Sequence, residues 1–201
     1  MKIKRIVAGM LENNVYVAYD ETKECFIVDP GAGFEMVKNF IAQNSLIPKA
    51  ILLTHGHHDH IGSVNQLVAE YKIPVYVGAE DAELLENPHM MGLRPVEKVE
   101  VFEKIQDGFT LQIGGMQIET IATPGHTKGG VCFLVGDEMF TGDSIFKETI
   151  GRCDLHGGDY KTMLKSVAKV AHINCNIYPG HADLSTMAHE RIYNPYFPNN
   201  Q

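Results

Sequence analysis

The sequence predicts a fold in which two β-sheets pack face to face, with helices on the outside. Strand-like segments occur in two halves of the chain, and helical segments interrupt each half, which is the pattern of a layered fold. Of the 201 residues, 44% are hydrophobic and 21% are charged, as is ordinary for a globular protein. The chain is long enough to bury a substantial core, and we expect a single domain over residues 1–201.

In the first half, short hydrophobic runs between polar turns predict strands. The predicted strands are Ile3–Val7, Val15–Tyr19, Cys25–Val28, Ala50–Leu53 and Val75–Val77. Hydrophobic residues at helical spacing predict helices at Phe34–Gln43, Ser63–Tyr71 and Ala79–Glu86. A mobile loop is expected at residues 87–92, followed by irregular chain up to residue 108.

The second half contains further strands and two helices. The predicted strands are Phe109–Ile113, Met116–Ala122, Val131–Val135, Glu138–Phe140 and Asn176–Tyr178. Gly114-Gly115 and Gly136-Asp137 are typical of hairpin turns. The predicted helices are Tyr160–Val170 and Thr186–Ile192.

Four of the ten histidines lie within residues 55–60, directly after a predicted strand. In a hydrophobic core, many ring nitrogens of such a cluster would stay unpaired, whereas a metal ion would bind them. His55 and His57 are two residues apart, so in an extended segment both rings point the same way and can share one ion. Asp59 and His60 follow at a predicted turn, which directs them towards a second ion.

Three more side chains of ligand type follow predicted strands after a short turn. They are His126, Asp143 and His181. In layered folds, functional sites gather at the loops beyond strand ends, because the sheet holds those loops in place. We therefore expect these three side chains to join the histidine cluster.

The seven donors are too many for one zinc ion, which takes four or five ligands. We assign His55, His57 and His126 to one ion. We assign Asp59, His60 and His181 to the other, with Asp143 bridging both, since a carboxylate offers two oxygens. Nitrogen and oxygen donors admit zinc, iron or manganese.

The segment Thr54–His60 matches the His-x-His-x-Asp-His motif of the metallo-β-lactamase superfamily, and the other three donors occur in the order expected for that superfamily. The chain resembles the superfamily over almost its whole length, from Asp29-Pro30-Gly31 to residues 191–196. This resemblance implies an α+β fold of the αββα sandwich type. Two mixed β-sheets would pack together, with helices on both outer faces and a dinuclear site at one edge.

Residues 142–146 and 150–154 most resemble the glyoxalase II group, the hydroxyacylglutathione hydrolases. Short bacterial members of that group share the elements at 151–154 and 157–159. Full-length glyoxalase II has an added helical C-terminal domain that helps hold glutathione, and this chain ends before such a domain. His156 stands where the short proteins usually have proline, and its role stays open.

The expected function is hydrolysis of a small thioester, such as S-lactoylglutathione or another acyl-thiol, by a hydroxide that bridges two divalent ions. Zinc is the expected metal, with iron or manganese as alternatives. Asp59 would orient the hydroxide or take its proton. A thiolate leaves readily because thiol pKa values lie near ~8.5, so no strong general acid is needed. Two other functions stay open: a mononuclear iron persulfide dioxygenase and a lactonase of the same fold.

Arg152 stands where the glyoxalase group places a basic residue that contacts the carboxylate of the substrate, and an ion pair with Asp154 or Asp159 explains it equally well. Lys147 is a second candidate for substrate binding, with a solvated surface lysine as the alternative. Asp29 either supports a metal-binding histidine or forms a turn before Pro30.

The remaining reactive side chains are expected to have structural roles. Cys153 is expected to be a packed loop thiol, and His58 is expected to point away from the metals. Met90 and Met91 would pack in their loop or cover an acyl group. Surface or helix positions are expected for the histidines without partners at ligand spacing, His89, His156, His172 and His189.

Charge and patterning exclude other classes of function. The net charge of −8 and the lack of a basic stripe argue against nucleic acid as a partner. No apolar run approaches the ~18 residues of a membrane-spanning helix. The N-terminus has no signal-peptide pattern, and four widely spaced cysteines fit reduced thiols in the cytoplasm. We expect a small-molecule partner and a cytoplasmic location, and the sequence does not determine the oligomeric state.

Overall fold

The structure is a computed structural model that describes residues 1–88 and 96–198. The predicted loop at residues 87–92 falls outside the described residues from His89 onwards, and so do Met90 and Met91.

Six strands form the first sheet, and they lie side by side in chain order. They are β1 (Lys2–Ala8), β2 (Asn13–Tyr19), β3 (Glu24–Val28), β4 (Ile47–Leu53), β5 (Val75–Gly78) and β6 (Glu103–Ile105). The strands β1 to β3 are antiparallel, and β3 to β6 run parallel. Parallel neighbours need crossover segments, which here contain α1 (Phe34–Gln43), α2 (His58–Ile61), α3 (Val64–Tyr71) and α4 (Ala82–Glu86).

The second sheet also has six strands, in the order β14-β13-β10-β9-β8-β7. They are β7 (Thr110–Ile113), β8 (Met116–Ala122), β9 (Val131–Val135), β10 (Glu138–Gly142), β13 (Asn176–Pro179) and β14 (Ser185–Thr186). Only β10 and β13 pair in parallel, and α5 (Tyr160–Val170) connects them. The helix α6 (Met187–Tyr193) follows β14, and β11 (Ile145–Phe146) pairs with β12 (Thr149–Ile150) in a small ribbon.

Alternating side chains divide the hydrophobic residues into three layers, because successive residues of a strand point to opposite faces. Between the sheets, Tyr16 and Phe26 meet Phe140. On the outer face of the first sheet, Val15 and Val17 belong to one cluster with residues of α1 and α3. The outer face of the second sheet is covered in the same way by α5 and α6. The predicted αββα sandwich with two mixed sheets is confirmed.

Several short elements differ from the sequence-based expectation, among them β11, β12, β14 and the following two. The stretch expected to be irregular up to residue 108 contains β6, a strand of only three residues that adds to the edge of the first sheet. The residues expected to form a turn after His57 instead form α2, a single helical turn. Both elements are too short to leave a periodic pattern in the sequence. Within the described residues, no helix is long and apolar enough to span a membrane.

Candidate metal centre

The histidine cluster begins where β4 ends. His55 and His57 lie in the extended segment after that strand, and α2 carries Asp59 and His60. Helical geometry changes the direction of the side chains relative to the extended segment. The local change from strand to helix therefore separates the cluster into two pairs of donors.

The other three donors come from loops at the ends of strands in the second sheet. His126 lies between β8 and β9, Asp143 follows β10, and His181 follows β13. The register between β10 and β13 shifts between Phe140 and Gly142, directly before Asp143. Because the histidine cluster follows a strand of the first sheet and these three donors follow strands of the second, the site lies where loops from both sheets meet.

The structure brings six of the seven predicted donors together in two groups. The ligand atoms of His55, His57 and His126, the three-histidine group, lie within 4.8 Å of one another. Those of Asp59, His60 and His181, the mixed group, do the same, and a third, overlapping group joins Asp29 to His55 and His60. The first two groups have the composition predicted for two ions, and the assignment of ligands to ions stays a prediction.

Asp143 lies between the two groups. Its Oδ2 is 3.4 Å from Nε2 of His126 in the three-histidine group. Its Oδ1 is 3.4 Å from Nε2 of His60 in the mixed group. One carboxylate therefore faces both groups with separate oxygens, as a bridging ligand requires.

Several polar atoms of this cluster are buried without a hydrogen-bond partner. Among the described residues, these include Nε2 of His55, Nε2 of His57 and Oδ1 of Asp143. Leaving such atoms unpaired costs free energy. In addition, Nδ1 of His57 and Nε2 of His126 face each other at 2.9 Å. A divalent cation would bind these donors, so the residues fit a metal centre.

Protein acceptors orient three of the histidine rings. Nδ1 of His126 donates to the carbonyl of Arg152 at 2.7 Å, and Nδ1 of His181 donates to the carbonyl of Leu11 at 2.9 Å. Because a carbonyl only accepts, Nδ1 carries the proton and the lone pair of Nε2 stays free. Nδ1 of His60 donates in the same way to Oδ2 of Asp29 at 3.0 Å. This arrangement is typical of metal-binding histidines.

Asp29 supports two parts of the cluster. Besides His60, its carboxylate accepts from the backbone N–H of Thr54 at 2.7 Å and from the Thr54 hydroxyl at 2.5 Å. The Thr54 oxygen in turn lies 3.0 Å from Nδ1 of His55. Asp29 also forms the turn after β3 with a left-handed backbone, φ +48°. Both roles that the sequence analysis considered for Asp29 are therefore present together.

Burial and neighbouring charges set the protonation of the rings. Burial, with His126 nearby, lowers the pKa of His57 to about 3, and burial also keeps the pKa of His55 well below its ordinary value. Burial lowers the pKa of His60 too, but the carboxylates of Asp143, Asp29 and Asp59 outweigh it and raise that pKa to about 10. His55 and His57 are thus neutral near pH 7, as metal ligands must be, whereas His60 without a bound cation carries a second proton, which a metal ion at its Nε2 would displace.

Two glycines allow the backbone to approach the donors closely. A Cβ on Gly180 would lie 2.3 Å from Oδ1 of Asp143 and 2.7 Å from Cε1 of His60. A Cβ on Gly31 would lie 1.4 Å from the carbonyl oxygen of Asp59. Any other residue at these two positions would displace the donors.

A cavity of about 320 Å³ opens over the cluster. Its apolar side is formed by Leu11, Phe146 and Leu155. His58 also lines this cavity, but it belongs to none of the donor groups among the described residues. Its expected orientation away from the metals stays a prediction.

Arg152 lines the same cavity, but its guanidinium forms a two-point pair with Asp154, at 2.7 and 2.8 Å. The structural ion pair that the sequence analysis considered is therefore present. Lys147 is exposed and is not among the residues that line the cavity. Whether either residue binds substrate stays a prediction.

The remaining candidates have structural environments. Cys153 is half-buried and donates to the carbonyl of Gly151 at 3.3 Å, and burial raises the pKa of its thiol. Nε2 of His189 lies 2.9 Å from a carboxylate oxygen of Glu148. His156 and His172 are exposed on the surface.

Leu11 and Asn13 are among the contributors to the site that were not predicted from the sequence. Leu11 supplies both a cavity wall and the carbonyl that holds His181. Asn13 is buried, and its side-chain amide lies 3.3 Å from Nδ1 of His60. The adjacent polar residues Asn13 and Asn14 within a hydrophobic strand were the available signal, because buried amides need partners. No pattern in the sequence around Leu11 indicated its role in the site.

Comparison with known proteins agrees with this geometry. The family model of the metallo-β-lactamase superfamily matches residues 8–181. A hydroxyacylglutathione hydrolase from Haemophilus influenzae is 31% identical over 207 residues, covering 98% of this chain and 98% of that protein.

Two solved structures share the fold over nearly the whole chain. The BLEG-1 B3 metallo-β-lactamase has a TM-score of 0.91 at 32% identity, covering 98% of this chain and 100% of that one. A protein solved in a di-iron-bound form has a TM-score of 0.88 at 30% identity, covering 96% of this chain and 100% of that one. The family match and these similarities extend over the loops that carry the seven donors. The chain therefore belongs to the metallo-β-lactamase superfamily of metallo-hydrolases.

Proposed function

We propose that this protein is a dinuclear metal-dependent hydrolase that cleaves a small thioester, such as S-lactoylglutathione or another acyl-thiol. The observation that carries the proposal is the arrangement of six nitrogen and oxygen donors in two groups of three, with Asp143 between them as the seventh. Such a donor set suits two divalent ions and leaves room for a substrate beside them.

The three-histidine group would hold one ion, the mixed group would hold the second, and Asp143 would bind both. We propose zinc as the metal, with iron or manganese as alternatives. Of these two alternatives, iron has the better support, because a similar protein was solved in a di-iron-bound form. When bound, two such ions polarise a carbonyl and lower the pKa of a water held between them.

Asp59 is the residue to which we assign the orientation of the attacking water or the removal of its proton. It lies at the cavity wall, with Oδ2 3.1 Å from Nε2 of His181. Burial raises the pKa of its carboxyl, but the charge of His60 and the hydrogen bond and charge of His181 outweigh burial and hold that pKa below its ordinary value. Asp59 is therefore ionised, which favours accepting a hydrogen bond from the attacking water over removing its proton.

The cavity supports a thioester over an amide. Apart from the seven proposed ligands, the titratable residues that line it are His58 and Arg152. A thiolate needs no strong acid to leave, because thiol pKa values are about 8.5, whereas an amine does. The apolar side formed by Leu11, Phe146 and Leu155 suits an acyl group. The name of the Haemophilus influenzae relative also points to an acylated thiol.

Arg152 and Lys147 are proposed to bind an acidic group of the substrate. Arg152 is the stronger candidate, because it lines the cavity and its side chain is 62% exposed despite the pair with Asp154. An exposed ion pair contributes little to stability, so a substrate carboxylate can compete with Asp154 for the guanidinium.

The proposed partner is the small-molecule thioester, and we assign no nucleic acid or membrane partner. A net charge of −8 opposes binding to phosphate backbones. We also propose a cytoplasmic location, because all four cysteines are free thiols.

The test is an assay of the purified protein against acyl-thiols, homoserine lactones, a β-lactam and thiol persulfides, with metal content measured on the same sample. We expect two metal ions per chain and hydrolysis of acyl-thiols. A single iron with oxygen uptake on persulfides would instead identify a dioxygenase. Ring opening of lactones without thioester cleavage would identify a lactonase.

Variants at the centre test the assignment of ligands. His57→Ala and Asp143→Ala should each lose metal and activity together. His172→Ala, which changes an exposed histidine away from the site, should keep both. Full metal content in both centre variants would contradict the proposed centre.

A further inference from the structure

Asp81 is a buried carboxylate beside the proposed centre that contacts none of the seven donors directly. It ends the short 3₁₀ turn Ala79–Asp81 after β5, and it is 1% exposed. Neither the sequence analysis nor the proposed chemistry gives it a role. A carboxylate in such a position is costly unless several donors satisfy it.

Three donors satisfy Asp81, and they come from two loops of the centre. Oδ2 accepts from the backbone N–H of Gly56 at 3.0 Å and from the hydroxyl of Thr127 at 2.7 Å. Oδ1 accepts from the backbone N–H of Gly129 at 2.6 Å. Gly56 lies between His55 and His57, and Thr127 directly follows His126. The carboxylate therefore joins the two loops that carry the three-histidine group.

The backbones of the two loops also lie close to the backbone of Asp81. A Cβ on Gly129 would lie 2.3 Å from the backbone nitrogen of Asp81, and a Cβ on Gly56 would lie 3.1 Å from its carbonyl oxygen. Burial raises the pKa of the Asp81 carboxyl, while the hydrogen bonds from Thr127, Gly129 and Gly56 lower it. Burial of the charged carboxylate costs free energy, and its hydrogen bonds to the two loops offset that cost.

We infer that Asp81 is a positioning residue that sets the separation between the His57 and His126 loops and thereby the metal affinity of the three-histidine group. This inference rests on the proposed function, because it presupposes that the group holds a metal ion. Only a carboxylate can accept all three hydrogen bonds. An asparagine side chain has one accepting oxygen. Its NH₂ group would face donors that accept no hydrogen bond.

The experiment compares Asp81→Asn with Glu80→Gln, which removes an exposed charge from the same turn. Zinc affinity is measured by chelator competition, and the melting temperature is measured with and without zinc. In Asp81→Asn we expect one zinc ion to bind about 10- to 100-fold more weakly, as for other residues that orient metal ligands. The rise in melting temperature on adding zinc should shrink, and Glu80→Gln should match the wild type.

A second pair of variants keeps the test decisive if Asp81→Asn does not fold. Thr127→Val removes one of the three donors while preserving side-chain shape, and Thr127→Ser retains the hydroxyl. We expect Thr127→Val to weaken binding of one zinc ion and to change the visible absorption spectrum of the cobalt-substituted protein. Thr127→Ser should restore both properties.

A purely structural role for Asp81 predicts a different result. The melting temperature would fall equally with and without zinc, and both zinc affinities would stay at wild-type values, which would overturn the inference. Failure of the proposed function is distinguishable, because it would appear in the wild-type protein as a lack of metal or of thioester cleavage.

Discussion

At the scale of single residues, the candidate centre depends on which nitrogen of each imidazole is free. Backbone carbonyls hold Nδ1 of His126 and His181, and the Asp29 carboxylate holds Nδ1 of His60. The outer partners therefore select the tautomer in which Nε2 can bind a cation. A change in an outer partner should be detected as weaker metal binding.

Asp29→Asn tests this dependence. The amide replaces one accepting oxygen with an NH₂ donor, so it cannot accept all three hydrogen bonds from His60 and Thr54, and we expect about 10- to 100-fold weaker metal binding. Chelator competition measures the affinity. Asp20→Asn, at a partly exposed turn aspartate that accepts from Thr22, is the control and should bind metal normally. Equal affinities in the two variants would contradict the role of Asp29.

Gly180→Ala tests the close approach of the backbone. The added methyl group would meet Oδ1 of Asp143 and Cε1 of His60, so the two donors must move apart and metal content should fall. The control is Gly136→Ala, where a Cβ meets nothing within 4 Å although φ is +61°. Gly136→Ala is expected to lose some stability from backbone strain, and Gly180→Ala from the close contacts of its methyl group. Only Gly180→Ala should lose metal, as measured by elemental analysis.

At the scale of elements, the ends of strands were the most predictable part of the site. Each of β4, β8, β10 and β13 is followed by a donor that the sequence analysis selected. The strand ends were predictable because hydrophobic runs and turn residues are local signals. The partners that orient the rings were not predictable, because the contact between Leu11 and His181 joins residues 170 positions apart.

The hairpin between β1 and β2 also bears on catalysis. Leu11→Ala keeps the backbone carbonyl that holds His181 but removes an apolar wall of the cavity. We expect unchanged metal content and kcat/KM for acyl-thiols reduced about 10-fold, since small apolar contacts in a pocket are worth roughly 1–3 kcal/mol. Met10→Ala changes an exposed neighbour that does not line this cavity, and steady-state kinetics should show little effect. A loss of metal in Leu11→Ala would show that the side chain supports the centre itself.

At the scale of the whole molecule, the layer between the sheets is a tightly packed aromatic part of the core. The Phe140 ring packs between those of Tyr16, Phe26 and Tyr178, with centroids 5.2 to 5.8 Å apart. The two-sheet architecture was predictable because strand-like segments fall in two halves of the chain, each interrupted by helices. The order of strands in the second sheet did not, because β13 pairs with β10 across a helix and other elements.

Phe140→Ala should lower the free energy of unfolding by about 3–5 kcal/mol, because it leaves a cavity between the sheets. Urea denaturation of the metal-loaded protein measures this loss. Phe146→Ala, at a half-buried residue of the site cavity, is the comparison and should affect stability much less. Similar losses in both variants would argue against a special contribution of the Phe140 ring to the core between the sheets.

Removing metal should destabilise the whole fold, since the donors come from loops of both sheets. Binding of an ion only to the folded state adds about 2.7 kcal/mol at a free concentration 100 times the dissociation constant. Chelation should therefore lower the melting temperature, and zinc should restore it. In His57→Ala the restoration should be smaller, and an unchanged response to zinc there would contradict ligation by His57.

The distribution of donors between the two sheets also limits how such proteins can recombine. The first sheet supplies His55, His57, Asp59 and His60, and the second supplies His126, Asp143 and His181. Neither half contains a complete set for either ion with its bridge. A chimera that joins the first half of this chain to the second half of a relative inherits all seven side chains, yet it works only if the two sheets meet at the same tilt. The packing between the sheets therefore limits the exchange of halves between family members. A substitution in one half is tolerated only if its donors still meet those of the other half.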